Sequence, residues 1–70
     1  MSKRIKLKQF RVGLDLSQEE MAETLNVSRS TYAMIEGGQR YGTLRFWKKL
    51  EETHNVPHAK VYEFMTEIEF

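Results

Sequence analysis

Ser17 to Gly38 reads SQEEMAETLNVSRSTYAMIEGG, two short amphipathic helices joined by a tight turn. Ser17 followed three residues later by Glu20 is a capping box, in which each side chain satisfies a backbone N–H at the helix start. Met21, Ala22 and Leu25 fall on one face of a 3.6-residue period, and Glu19, Glu20 and Glu23 lie opposite. Asn26 is the stop, because asparagine tolerates the left-handed conformation that ends helices. Leu25 and Val27 flank it as apolar anchors. Ser28 is a second cap, opening a helix from Arg29 to Glu36 that Gly37-Gly38 closes. Thr31, Tyr32 and Ile35 face inward on that helix. Arg29, Ser30, Ala33 and Met34 lie mostly on its other side. A turn this short leaves the two helices one fixed, near-perpendicular packing.

Outside this unit the pattern stays helical. Leu7, Phe10 and Leu14 make an i, i+3, i+7 stripe on a helix from about Lys3 to Leu14, with Gly13 in its last turn and Asp15 just after it. Tyr41-Gly42-Thr43 reads as a loop. Thr43 caps a helix running to about His54, with Leu44, Trp47 and Leu50 as its core face and Phe46 partly buried. Pro57 suits the first position of a last helix, on which Val61, Phe64 and Met65 or Ile68 pack. With one proline and no strand-like alternation, the expected architecture is a single all-α domain of five helices over residues 1–70.

Ser17, Gln18, Met21, Ala22, Val27, Ser28, Ile35, Glu36 and Gly38 stand in register with a family pattern, Ser-Gln-x-x-hydrophobic-Ala, turn, Val-Ser, then Ile-Glu-x-Gly. The string resembles the helix-turn-helix of the lambda-repressor/Cro-like (XRE-type) transcriptional regulators, and the similarity covers about residues 5 to 65. The resemblance implies a compact five-helix lambda-repressor-like domain with its helix-turn-helix at 17–36. It also implies a second helix, 28–36, that enters the major groove of duplex DNA while the helix before it meets the backbone.

Carried over by position, Ser28, Arg29, Ser30, Ala33 and Met34 are the base-reading candidates. Arg29 leads, since its planar fork matches both acceptors on a guanine edge; the competing reading is a phosphate clamp or a solvated helix residue. Ala33 and Met34 depart from the polar residues often seen at these positions. An alanine methyl suits a thymine methyl, while Met34 either fills an apolar surface of the groove or folds back on the core. Gln18, Gln39, Arg40, Tyr41 and Arg45 are the phosphate candidates, with Lys48 or Lys49 behind them; Gln18 opens a helix whose free N–H groups favour an anion. Arg11 and Glu36 stand where the family often places a structural ion pair. Tyr32 sits where relatives carry an inward isoleucine, which implies core packing with its hydroxyl at the edge. The short basic arm at 1–4, with Lys3 and Arg4, reads either as a phosphate or minor-groove contact or as a disordered solubilising end.

Charge supports that footprint although the net value is only +1. Lys3, Arg4, Lys6, Lys8 and Arg11 crowd the first sixteen residues, and Arg29, Arg40, Arg45, Lys48 and Lys49 the middle. Glutamates fill the intervening and last segments. Phosphate binding responds to local charge, because each neutralised phosphate releases condensed counterions.

Enzymatic chemistry finds no foothold. His54 and His58 are four apart with Pro57 between them and no third ligand pattern, so His54 reads as a cap or core edge rather than a metal ligand. Gly37-Gly38 lacks the strand before it and the lysine after it that a phosphate loop requires. No cofactor or metal is called for. The chain has no cysteine and no apolar run near the ~20 residues of a membrane span, which fits a cytoplasmic protein.

The partner expected is a double-stranded DNA operator bound by a homodimer, since one such domain reads too few base pairs for useful specificity. The C-terminal end, 66–70, is the candidate dimer contact: Ile68 and Phe70 either dock onto a second copy or complete this chain's own core. A protein-interaction module on the same fold, an antitoxin or an adaptor with a protein partner, is the alternative function.

Overall fold

The computed structural model describes residues 3–67. Five helices follow in order: α1 (Ile5–Gly13), α2 (Gln18–Thr24), α3 (Arg29–Glu36), α4 (Leu44–His54) and α5 (His58–Thr66). Their ends are written in local chemistry. Ser17 Oγ accepts from Glu20 N and Glu20 returns a carboxylate to Ser17 N, the complete capping box. Ser28 Oγ accepts from Thr31 N, and Thr43 Oγ1 accepts from Phe46 N. Asn26, with φ 58°, turns the chain out of α2 through the left-handed region; Asn55, with φ 52°, does the same after α4. Pro57 caps α5 rather than occupying its first turn.

The helices enclose one core, built on Leu7, Met21, Ala22, Leu25, Tyr32, Ile35, Phe46, Trp47, Leu50, Val56, Val61 and Phe64, with Phe10, Leu16, Val27 and Met65 packed against it. Each helix supplies at least one fully buried side chain, so no element stands without the others. Burial of a large apolar side chain contributes roughly 1.5–3 kcal/mol. Among the described residues no helix is long and apolar enough to cross a membrane.

Three expectations are corrected here. Leu14 is 43% exposed and does not join the α1 stripe. The helix ends at Gly13, and Asp15, with φ 61°, reverses the chain so that Leu16 packs on the core in its place. Leu44 is 72% exposed. The buried face of α4 is centred on Phe46, Trp47 and Leu50, and at ~100° per residue Leu44 lies about a third of a turn from that centre. Phe46 takes the buried place assigned to Leu44.

Arg4 is the third. It is neither a phosphate arm nor a loose end, because its side chain is fully buried. Nε donates to Phe64 O at 3.1 Å, Nη1 to Ile35 O at 2.6 Å and Arg40 O at 2.7 Å, and Nη2 to Tyr41 O at 3.4 Å and Met65 O at 3.3 Å. A guanidinium has five N–H donors, and all of them are satisfied. Three of the acceptors lie at the carboxyl ends of α3 and α5, where the helix dipole favours a cation, and two lie in the loop after α3. Burial still lowers the Arg4 pKa, an effect that the nearby Tyr41 and Glu67 oppose. The terminal segment 66–70 falls partly outside the described residues, Ile68 and Phe70 with it.

Candidate nucleic-acid interface

Glu36 closes α3 and is the hub that sets the attitude of the helix. Both of its carboxylate oxygens take two hydrogen bonds. Oε2 accepts from Arg11 Nε at 2.9 Å and from the Tyr32 hydroxyl at 2.6 Å. Oε1 accepts from Arg11 Nη2 at 3.2 Å and from Gln18 Nε2 at 3.1 Å. Arg11 also donates from Nη1 to Leu16 O at 2.8 Å, so α1, the turn after it, α2 and α3 meet at one buried carboxylate.

The electrostatics follow from that geometry. Burial alone would raise the Glu36 pKa; hydrogen bonds from Arg11, Tyr32 and Gln18, with the Arg11 charge, outweigh it and hold the carboxyl below its ordinary range. The hydrogen bond to Glu36 raises the Arg11 pKa. Burial first, and then the Glu36 carboxylate, push the Tyr32 phenol far up, so it stays a donor. That hydroxyl lies inside, on Glu36, rather than at the core edge.

With its inner side anchored in this way, α3 turns its other side outward. Ser28, Arg29 and Ser30 are exposed, and Ala33 and Met34 are half-buried. Met34 is not among the described side chains packed on the core. Two recesses border the helix, and a third lies beside the turn before it. One, of about 220 Å³, is lined by Lys3, Lys8, Gln18 and Ala33 with Glu36 and Gly37. A second, apolar groove of about 520 Å³ has Thr31, Arg40, Tyr41 and Phe46 on its walls. The third, about 270 Å³, sets Arg45 and Lys49 beside Asn26 and Val27 in the turn before α3. Gln18, Arg40 and Tyr41 therefore line recesses that α3 borders, and Arg45 lines the one beside the turn. Gln39 is exposed, its backbone N–H donating to Met34 O at 2.8 Å.

Two side chains have a place that the sequence reading did not give them. Lys8, read only as part of the basic cluster in the first sixteen residues, shares the recess of Gln18. Trp47, read only as core, donates from Nε1 to Tyr41 O at 2.9 Å and so holds the loop after α3. The two histidines part company: His54 ends α4, with Nε2 2.8 Å from Thr24 Oγ1 and its ring edge-on to Phe10, while His58 opens α5 beside Glu51.

Two helices crossing at a short turn, the second outward-facing and bordered by basic side chains, define a helix-turn-helix unit. The helix-turn-helix family model matches residues 7–61, and the chain belongs to the XRE-type helix-turn-helix family of transcriptional regulators. It is similar to the cryptic phage CTXphi transcriptional repressor RstR of Vibrio cholerae, with 36% identity over 56 residues that cover 80% of this chain and 50% of that protein. The chain thus spans about half the length of the curated relative it matches. No solved structure matches it.

Proposed function

We propose that this protein is a repressor that binds a specific sequence of duplex DNA as a homodimer, reading the major groove with helix 28–36. One observation carries the reading. The Glu36 hub immobilises α3 from the inside, while Ser28, Arg29 and Ser30 at its start stay exposed. A reading helix needs both properties, because base discrimination requires side chains held in a fixed register against the groove. Arg29 is the chief base-reading residue, with Ser28, Ser30, Ala33 and Met34 completing the contact.

Gln18, Gln39, Arg40, Tyr41 and Arg45 contact phosphate. Gln18 keeps a second amide hydrogen beyond the one given to Glu36, and Lys8 lines the same recess. The similarity to a phage transcriptional repressor supports repression over activation. Two-fold dimers solve the problem of short half-sites by reading two of them about one helical turn apart.

Selection of bound duplexes from a random pool, run in parallel for the native chain and Arg29→Ala, tests the reading. A palindromic motif with altered preference in the variant is expected. Weak, motif-free retention even at low salt would remove the DNA reading and favour a protein partner, as for an antitoxin or adaptor.

A further inference from the structure

Arg4 holds the loop after α3 by its backbone carbonyls. Its Nη1 bridges Ile35 O, in the last turn of α3, to Arg40 O, and its Nη2 reaches Tyr41 O. Its own backbone N–H donates to Glu36 O at 2.9 Å. From the other side, Trp47 Nε1 donates to Tyr41 O, and the Arg4 guanidinium lies 5.3 Å from the Trp47 ring. Gln39 and Arg40 donate their backbone N–H groups to Met34 O. Gly42, with φ 81°, lets the chain pass so close that a Cβ there would stand 2.9 Å from Trp47 Nε1. The backbone of residues 39–42 is therefore pinned along its length. The side chains of Arg40 and Tyr41 are nevertheless exposed, Tyr41 to 73%.

A pinned backbone carrying free polar side chains is a preorganised contact: the ordering entropy is spent on folding rather than on binding. We infer that Arg4 is a positioning residue for DNA binding, acting through the backbone of Arg40 and Tyr41 to present their side chains to phosphate. This rests on the DNA reading given above. The residue type matters, since only a planar fork with donors on three nitrogens spans carbonyls from α3, the loop and α5 at once. A lysine ammonium, a point charge with three donors, cannot replace it.

The test uses the full chain and the duplex recovered from the random pool. Dissociation constants are measured across a salt series for the native chain, Arg4→Lys, Trp47→Phe, Arg40→Ala and the two double variants with Arg40→Ala, each below its melting transition. Arg4→Lys should weaken binding by about tenfold and lower the salt slope by about one. Arg40→Ala should then cost clearly less in the Arg4→Lys background than in the native chain. Trp47→Phe, which removes a different donor from the same carbonyl, should move both quantities the same way by a smaller amount.

A folded Arg4→Lys chain with the native salt slope and full additivity with Arg40→Ala would overturn the inference and leave Arg4 as a core element only. Should Arg4→Lys fail to fold, the Trp47→Phe cycle decides in the same terms, additivity counting against the inference. A native chain that selects no duplex sinks the DNA reading itself, an outcome distinct from either.

Discussion

Arg11 and Glu36, 25 positions apart, meet in a two-point ion pair with Nε to Oε2 at 2.9 Å and Nη2 to Oε1 at 3.2 Å. The carboxylate is 6% exposed and also serves Tyr32 and Gln18. Removing it leaves a largely buried guanidinium and a buried phenol without their acceptor. Breaking such a pair costs about 3–5 kcal/mol. Domains of this size hold on the order of 4–10 kcal/mol in total. Glu36→Ala is therefore expected to leave the fold marginal, and Glu36→Gln, which keeps one acceptor oxygen, to cost less. Urea unfolding of the three chains measures both; a Glu36→Ala chain as stable as the native one would show the hub to be dispensable.

Stability should decline into acid in two stages. Burial lowers the His54 pKa from an ordinary 6.5, and the net effect on Glu36 is a pKa lowered from 4.5. In both cases the unfolded chain binds the proton more readily, so stability rises with pH across the gap between the two states. The His54 contribution is complete above 6.5 and fades as pH falls from there toward its folded value. The Glu36 contribution is complete above 4.5 and fades below it. Melting temperatures from about pH 8 to about pH 3 should fall through both windows. His54→Gln should flatten the upper one alone; an unchanged upper stage in that variant would reassign it.

Arg29 and Arg40 should fail in different ways. Loss of a two-point base contact at Arg29 costs about 1–3 kcal/mol on the preferred duplex and relaxes preference at one base step. Loss of a phosphate contact at Arg40 weakens all duplexes alike and lowers the salt slope by about one. Binding curves for Arg29→Ala and Arg40→Ala against the selected duplex and a scrambled one separate the two. Equal losses on both duplexes for Arg29→Ala would move it to the phosphate group.

The helix-turn-helix was legible because its determinants are local. Ser17 with Glu20, Asn26 and Ser28 each act within about one turn of their own position, so a short window of sequence contains cause and effect. Tyr32 and Ile35 were legible as core by spacing. Arg4 was not legible, because its acceptors are backbone carbonyls 31 to 61 positions away, and a carbonyl is present at every residue. Leu14 and Leu44 were misread for a different reason. Periodicity assumes a helix that continues, whereas both residues flank a helix end, where the chain direction sets burial.

Asp15 supplies the last prediction, because it makes the turn that exchanges Leu14 for Leu16. Its φ of 61° lies in the left-handed region, and its N–H donates to Val12 O at 2.9 Å. Left-handed backbone costs an ordinary L-residue about 1–2 kcal/mol, and aspartate somewhat less because its short polar side chain can bond locally. Glycine escapes that cost but gives up about 0.5–1 kcal/mol through the greater freedom of the unfolded chain. The two terms nearly cancel for Asp15→Gly, whereas Asp15→Ala, with neither advantage, should lose about 0.5–1 kcal/mol. At about 4–8 °C per kcal/mol for a domain of this size, melting should stay within about 2–4 °C of the native value for glycine and fall by about 2–8 °C for alanine. An alanine variant that melts at or above the native chain would mean that the turn carries no left-handed strain, and that something other than Asp15 directs Leu16 inward.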